Sequence, residues 1–262
     1  MDIVDKTATS WAHAIELLYE NSWQEHIQRY RSNFAFRGLS CKNYALKSSL
    51  TRLGGNFWEL EGHLLRNFSK YAQLADSGQH YTDWKWLTLG QHHGLPTRLL
   101  DWTYSPFVAL HFATANIQHN DVDGIIWGVD FVKAHNEIPE VLKQQQERAK
   151  SNTFTVDMLE EVADSMSAFA ALAEKPFAVF FEPPSMTNRI MNQFALFSVM
   201  SDARVSMEEW LNSRVDVCKR IIIPKEIKDE IRDKLDQANI TERVLFPGLD
   251  GLATWLKRHY SP

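Results

Sequence analysis

The 262-residue chain carries 28 Lys and Arg against 33 Asp and Glu, a net charge of −5, and 44% of its residues are hydrophobic. That balance excludes a disordered or collagen-like chain, and the acidic excess gives no global attraction to nucleic acid, which is unsupported as a partner. A chain of this size buries roughly three quarters of the surface its unfolded form exposes, so one large domain spanning 1–262 is expected.

The first residues, MDIVDKTATSWAH, lack the basic stretch and apolar run of a signal peptide. No segment approaches the ~18 consecutive apolar residues of a membrane span, so a cytoplasmic location and no membrane partner are expected. Trp11, Ile15 and Leu18, and then Trp23, Ile27 and Tyr30, recur at three and four, which predicts a helical region over 8–31 packed on the domain, with a break available at Asn21-Ser22. Asn33 to Gly38 is short, aromatic and alternating, a strand ending at a glycine with Arg37 near its end. Leu46 to Arg52 reads as a second strand, and Leu60, Leu64, Leu65, Phe68, Tyr71 and Leu74 mark a long helix. Thr82 or Asp83 caps another, running towards His93 and stopped by Gly94.

Ser105-Pro106 starts a buried helix over PFVALHFATANIQ, since the serine accepts from an orphan N–H and proline at the first helical position sacrifices no bond. Asp123-Gly124 turns the chain into the strand IIWGVDF. A polar helical region from about Pro139 to Ala173 includes the charged stretch Lys143 to Lys150, a solvated face. Strands follow at Phe177 to Phe181, near Phe194 to Val199 and at Val215 to Ile223. Pro224 opens a helix with Ile227, Ile231 and Leu235 on one face, and a corner at Leu245 to Gly251 leads to a last helix that Asp250 can cap. This irregular interleaving predicts an α+β fold, a single domain with a central mixed or antiparallel sheet surrounded by helices.

Polar residues crowd between two apolar helices in Gln91 to Ala113: Gln91, His92, His93, Thr97, Arg98, Asp101, Trp102, Thr103 and Ser105. A buried polar group without a hydrogen bond costs roughly 1–3 kcal/mol, so this stretch is an internal bonding hub or the lining of a cleft. Arg37 presents a planar fork suited to phosphate or carboxylate, and Gly38 lets backbone approach closely; a structural salt bridge, to Asp101 for example, is the equal alternative. Arg98 and Asp101 read more readily as scaffold, because buried charges are paired. Adjacent histidines project in different directions, so His92, His93 and His111 form no metal motif and no metal is expected. Cys41 and Cys218 are isolated fillers. Trp102, beside polar neighbours, could stack a ring, although core is the commoner fate of an indole.

Phe36-Arg37-Gly38, GLPTRLLDWTYSPFVALHFA from Gly94 to Ala113, Asn188-Arg189-Ile190 with Gln193 and Phe197, and LFPGLDG from Leu245 together resemble the FRG domain family, named for its (F/Y)RG motif. The long central motif is specific, whereas FRG alone is a three-residue coincidence. The resemblance spans nearly the whole chain and implies a bacterial or phage-associated domain, without implying a reaction. In motif order the chain is also similar to ADP-ribosyltransferases, in which an Arg ending an early strand contacts NAD, a Ser-Thr-Ser-type strand precedes a helix, and a Glu near a third strand completes the site. Arg37, then Asp101-Trp102-Thr103 with Ser105 ahead of the helix holding Ala109 and Phe112, then Arg189 and Gln193, follow that order.

This second resemblance implies NAD as cofactor and an ADP-ribosyltransferase-like fold. Its catalytic candidates are Arg37, Gln193 and Glu182; its cofactor-binding candidates are Arg37, Gly38, His92, Arg98, Asp101, Trp102, Thr103, Ser105 and Arg189. Gln193 stands where that pattern has Glu, which makes Glu182 the nearest carboxylate. The expected function is binding of an NAD-like nucleotide, as a diverged transferase or NAD glycohydrolase acting in bacterial or phage conflict, with a small-molecule nucleotide or a protein target as partner. The alternative is a non-catalytic binding or adaptor module whose FRG and TRLLDWT motifs form a structural polar core.

Overall fold

A computed structural model of the protein describes residues 3–72, 82–185 and 187–261. Strand β1 (Asp5–Thr7) leads to helix α1 (Trp11–Tyr19), whose cap Ser10 accepts from the His13 N–H and which buries Ala14 and Leu18. The helical reading of the N-terminal region holds no further. Asn21 at φ 64° turns the chain, and β2 (Trp23–Gln24) pairs with β3 (Arg29–Tyr30) as a separate two-stranded ribbon. The Trp23, Ile27, Tyr30 spacing comes from a 3₁₀ turn between the two strands: Trp23 meets Tyr30 edge-on across the ribbon, and all three residues are exposed.

Strand β4 (Phe34–Leu39) is where the alternation places it. Leu46 to Arg52 is not a strand: Leu46 and Leu50 are buried anchors four apart, and the backbone between them is held by turns, with the Ser48 hydroxyl accepting from Thr51 and the Leu50 N–H donating to Thr97. Helix α2 (Phe57–Ala72) fits the leucine spacing, and Leu74 lies outside the described residues. Helix α3 (Asp83–His92) is capped by Thr82 and is followed by Gly94 at φ 80°; β5 (Leu100–Thr103) and α4 (Pro106–Thr114), capped by Ser105, come next.

Strand β6 (Gly124–Asp130) stops before Phe131 because Asp130 caps the short α5 (Phe131–Ala134). The polar region resolves into α6 (Glu140–Ala149), β7 (Phe154–Thr155), α7 (Val156–Val162) and α8 (Met166–Ala170). Then follow β8 (Ala178–Glu182), α9 (Asn188–Asn192), β9 (Ala195–Met200), α10 (Met207–Asn212), β10 (Cys218–Ile223) and α11 (Lys228–Gln237). Helices α12 (Glu242–Leu245) and α13 (Leu249–His259) close the order. Asp250 lies inside the first turn of α13 and does not cap it; Gly248, at φ 118°, occupies the cap.

Among the described residues the main sheet has eight strands, ordered β1-β10-β6-β4-β5-β9-β8-β7, antiparallel through the centre and parallel at the two outer pairs. This is the expected α+β architecture in one domain. Strand alternation divides the core: Phe34, Phe36, Ile126 and Ile221 face α1, α4 and α11, whereas Ala35, Trp127, Val129, Trp102 and Leu196 face the opposite way with Trp210 of α10. Further along the sheet, Leu99, Phe181, Phe197 and Val199 pack against α2, α3 and α7. Each large side chain fully buried this way contributes ~1.5–3 kcal/mol.

Two contacts set the geometry around β4. A Cβ on Gly38 would lie 1.9 Å from the Ala109 carbonyl oxygen and 2.8 Å from the Ala113 nitrogen, so what approaches this glycine is α4 itself. Lys219 on β10 donates to the carbonyls of Leu17, Leu18 and Glu20 at 2.9, 3.1 and 3.1 Å, and its ammonium lies 4.3 Å from the Phe34 ring. Burial pushes that amine down to about 8, yet all three of its protons are used on carbonyls at the C-terminal end of α1.

Candidate functional site

A cleft of about 190 Å³ opens where β4 and β5 part. These strands pair at one position, Phe36 with Thr103, whereas β4 pairs with β6 over six, from Phe34 to Leu39. Continued in register, the ladder would bring Gly38 opposite Asp101. Instead the Arg37 guanidinium spans the gap: Nη1 donates to the Asp101 main-chain carbonyl and lies 3.8 Å from its Oδ2. A side chain thus satisfies an acceptor that the neighbouring backbone leaves open.

Arg37 is incompletely satisfied. Its side chain is 17% exposed and its buried Nε has no partner among the described residues. Burial pushes the guanidinium below its ordinary value, with Asp101 opposing and Arg52 adding to the shift; it remains a cation at neutral pH. The Asp101 carboxylate is 57% exposed and accepts from Gln91 Nε2 at 2.9 Å, while Gln91 Oε1 accepts from the Thr97 hydroxyl.

Opposite stand groups from α3 and α9. His92 ends α3, and burial, then the proximity of His93 and Arg189, lower its pKa, so it is neutral at pH 7. Arg189 of α9 is exposed, its guanidinium 5.0 Å from the Phe246 ring, and among the described residues no carboxylate pairs with it. Gln193 also lines the cleft, but its side-chain amide donates through Nε2 to the Leu245 carbonyl at 2.9 Å and its main-chain carbonyl accepts from Thr103 Oγ1 at 2.6 Å; it ties the wall of the cleft to α12. Phe36, Phe112, Ile190 and Phe197 supply the apolar lining.

The structure therefore brings Arg37, Gly38, His92, Asp101, Thr103, Arg189 and Gln193 to one cleft and places other candidates elsewhere. Trp102 borders it, but its indole is 3% exposed, donates to Ser198 Oγ at 2.8 Å and leans on Phe180, so it is core and stacks no ligand. Arg98 turns to Glu61, with Nε 2.8 and 2.9 Å from the two carboxylate oxygens, Nη2 on the same group, and Nη1 on the Met200 and Ser201 carbonyls. Ser105 is the α4 cap. Glu182 accepts from the Tyr104 hydroxyl at 2.9 Å; strand alternation puts Tyr104 and Trp102 on the sheet face opposite Asp101 and Thr103, so Glu182 is not a group of this cleft. Neither it nor Pro183, Pro184 and Ser185 is among the lining residues.

The lining residues that were not among the candidates are Phe36, Gln91, Phe112, Ile190, Ala195 and Phe197. Gln91 carried a signal, its place in the polar stretch. The aromatic ones did not, since a phenylalanine on a buried helix or strand reads as core. Among the described residues no group of three His, Cys, Asp or Glu is placed to hold a metal ion. His111 is 1% exposed and accepts from Arg232 Nη1 at 2.9 Å, and burial, reinforced by Arg232, lowers it to about 3.

Fold and cleft together define an α+β protein with a cation-bearing crevice between two splayed strands. Residues 32–122 match the model of the FRG domain. The match takes in β4, α3, β5 and α4, hence Arg37, His92 and Asp101; the α9 residues Arg189 and Gln193 and the corner at Leu245 lie beyond it. No curated protein and no solved structure matches the chain. Among the described residues, no helix is long and apolar enough to cross a membrane.

Proposed function

We propose that the cleft binds a nucleotide of the NAD type, with Arg37 holding an anionic group. The observation that carries this reading is the Arg37 guanidinium, which is fixed in a gap of the sheet, lines the cleft and keeps an unpartnered Nε beside an aromatic wall. A planar donor fork suits phosphate oxygens, and a second cation, Arg189, stands across the same space. For a transferase or glycohydrolase acting on NAD, the carboxylate of this cleft is Asp101, and it takes the place the sequence assigned to Glu182. Such nucleotides are met in the cytoplasm, the location expected from the sequence. A role in bacterial or phage conflict rests on the family resemblance alone. The adaptor reading draws on the contact between Arg37 and Asp101, which would make the same residues a polar core.

The two are separated by melting curves of wild type and Arg37→Lys, each with and without excess NAD. Lysine keeps the charge and loses the fork, so ligand affinity should fall by ~1–3 kcal/mol, about five- to 150-fold, while the ligand-free melting temperature changes little. A wild type without any NAD-dependent shift, together with a mutant melting several degrees lower, would favour the polar core.

A further inference from the structure

Helix α13 meets the rest of the molecule through a narrow face. Gly251 is the residue it buries, seated so closely that a Cβ would lie 1.9 Å from the Phe246 carbonyl oxygen. Arg258 fixes the far end, with Nε 2.6 Å from Glu242 Oε1 and Nη2 2.7 Å from Asp236 Oδ1. Trp255 lies between them, its ring 4.7 Å from the Arg243 guanidinium. Steps of four and three put Gly251, Trp255 and Arg258 on one side of the helix.

The apolar stripe is on the other side. Leu249, Leu252, Leu256 and Tyr260 follow at steps of three, four and four with Ala253 in their midst, centred about 150° round the helix from the packed face, and they are 82, 38, 38 and 80% exposed. Single exposed leucines are ordinary, but three in line with a tyrosine make a continuous patch of the kind that marks an interaction surface. The charges beside the stripe say what covers it. Asp250 and Lys257 lie along the same flank, both exposed, and among the described residues neither forms an ion pair. A second copy packed antiparallel about a twofold axis brings like flanks together: Leu249 then faces the second copy's Tyr260, Ala253 faces its Leu256, and each Asp250 lies beside the other copy's Lys257.

We propose that α13 is a self-association surface through which two copies of this chain pair antiparallel. A pair of 11-residue helices is only about 16 Å long and stays below the ~1,000 Å² of a stable interface, so the dimer is weak and concentration-dependent.

The test is sedimentation velocity on the full chain from about 1 to about 500 μM, with a melting curve for each variant. Wild type should pass from monomer to dimer across that range. Leu252→Glu combined with Leu256→Glu should weaken the dimer at least about tenfold and leave the melting temperature unchanged, since both side chains are at the surface. Asp250→Lys and Lys257→Asp should each weaken self-association, and an equimolar mixture of the two should associate more strongly than either alone, because one copy then carries two cations and the other two anions on the facing flanks. Wild type that stays monomeric throughout would overturn the proposal, and its binding to phosphatidylglycerol vesicles would give the stripe to a lipid surface instead. A dimer unchanged by the two glutamates would also overturn it, and a mixture that associates no better than its components would overturn the antiparallel pairing. Should the glutamates lower the melting temperature, the charge mixture, which leaves the leucines in place, still decides.

Discussion

Arg98 and Arg37 come from the two motifs that mark this sequence most strongly, and the structure uses them in opposite ways. Arg98, with an 11% exposed side chain, faces a Glu61 carboxylate only 6% exposed, and its remaining donors end on main-chain carbonyls. Arg37 faces an aspartate that is 57% exposed, meets it at 3.8 Å, and keeps Nε without a partner. A guanidinium whose donors meet a buried carboxylate and main-chain carbonyls holds helix α2 to the sheet; the one in the open crevice keeps a donor unpaired. Side-chain satisfaction, more than burial alone, separates the two.

The comparison is broken most directly at Arg98. Arg98→Ala leaves Glu61 buried and unpaired and should cost ~3–5 kcal/mol, read by chemical denaturation; the double variant Arg98→Met, Glu61→Gln should recover part of it. A loss below ~1 kcal/mol for the single variant would place Arg98 with the open cation and erase the contrast.

Acid sharpens it from another side. His111, held by Arg232, and His135, whose Nε2 accepts from the Phe180 N–H, are buried and neutral, lowered from 6.5 to about 3 and about 4, mainly by burial. Because their folded values are depressed, the unfolded chain binds the extra protons: stability is fully present above pH 6.5 and is lost as pH falls towards those values. At pH 5 each histidine should account for ~2 kcal/mol relative to pH 7. Stability that is level between pH 7 and pH 5 would contradict the closed, satisfied description of these sites.

The smallest effect is expected at Asp101. Asp101→Asn removes an exposed partner and should change stability by less than ~1 kcal/mol in the same denaturation assay, while relieving Arg37 of a competing negative charge. A cost comparable to that at Arg98 would show that Arg37 and Asp101 form a closed pair after all.

The sequence carried the parts of this picture that depend on local chemistry. Ser105-Pro106, Thr82 and Gly94 mark helix ends because capping is settled within four residues, and the Arg37 strand follows from its alternation. What it did not carry depends on which groups meet across the sheet. Trp23, Ile27 and Tyr30 have a helical spacing and lie on a ribbon, since a 3₁₀ turn between strands reproduces that period. Glu182 and Asp101 are both carboxylates beside aromatic strands, and only the strand order, with its two faces, sends one into the cleft and the other behind it. The splaying of β4 from β5 has no local signature at all: it appears only when α4 is seated on Gly38.

The pairing of β1 with β10, reinforced by the Lys219 ammonium on the end of α1, has a consequence for how the chain acquires its shape. Thr7 lies beside Ile222, and β6 has β10 as its other neighbour, so β1 and one flank of the sheet centre remain without their partners until the β10 residues, more than 200 positions after Thr7, are available to pair. Contacts of such sequence separation carry a large loop-closure cost and form late. Until β10 is in place, Ile125, Ile126, Trp127 and Val129 of β6 lack the strand that flanks them in the folded sheet, so an apolar edge that the finished fold covers is the part of the sheet completed by the most distant contacts.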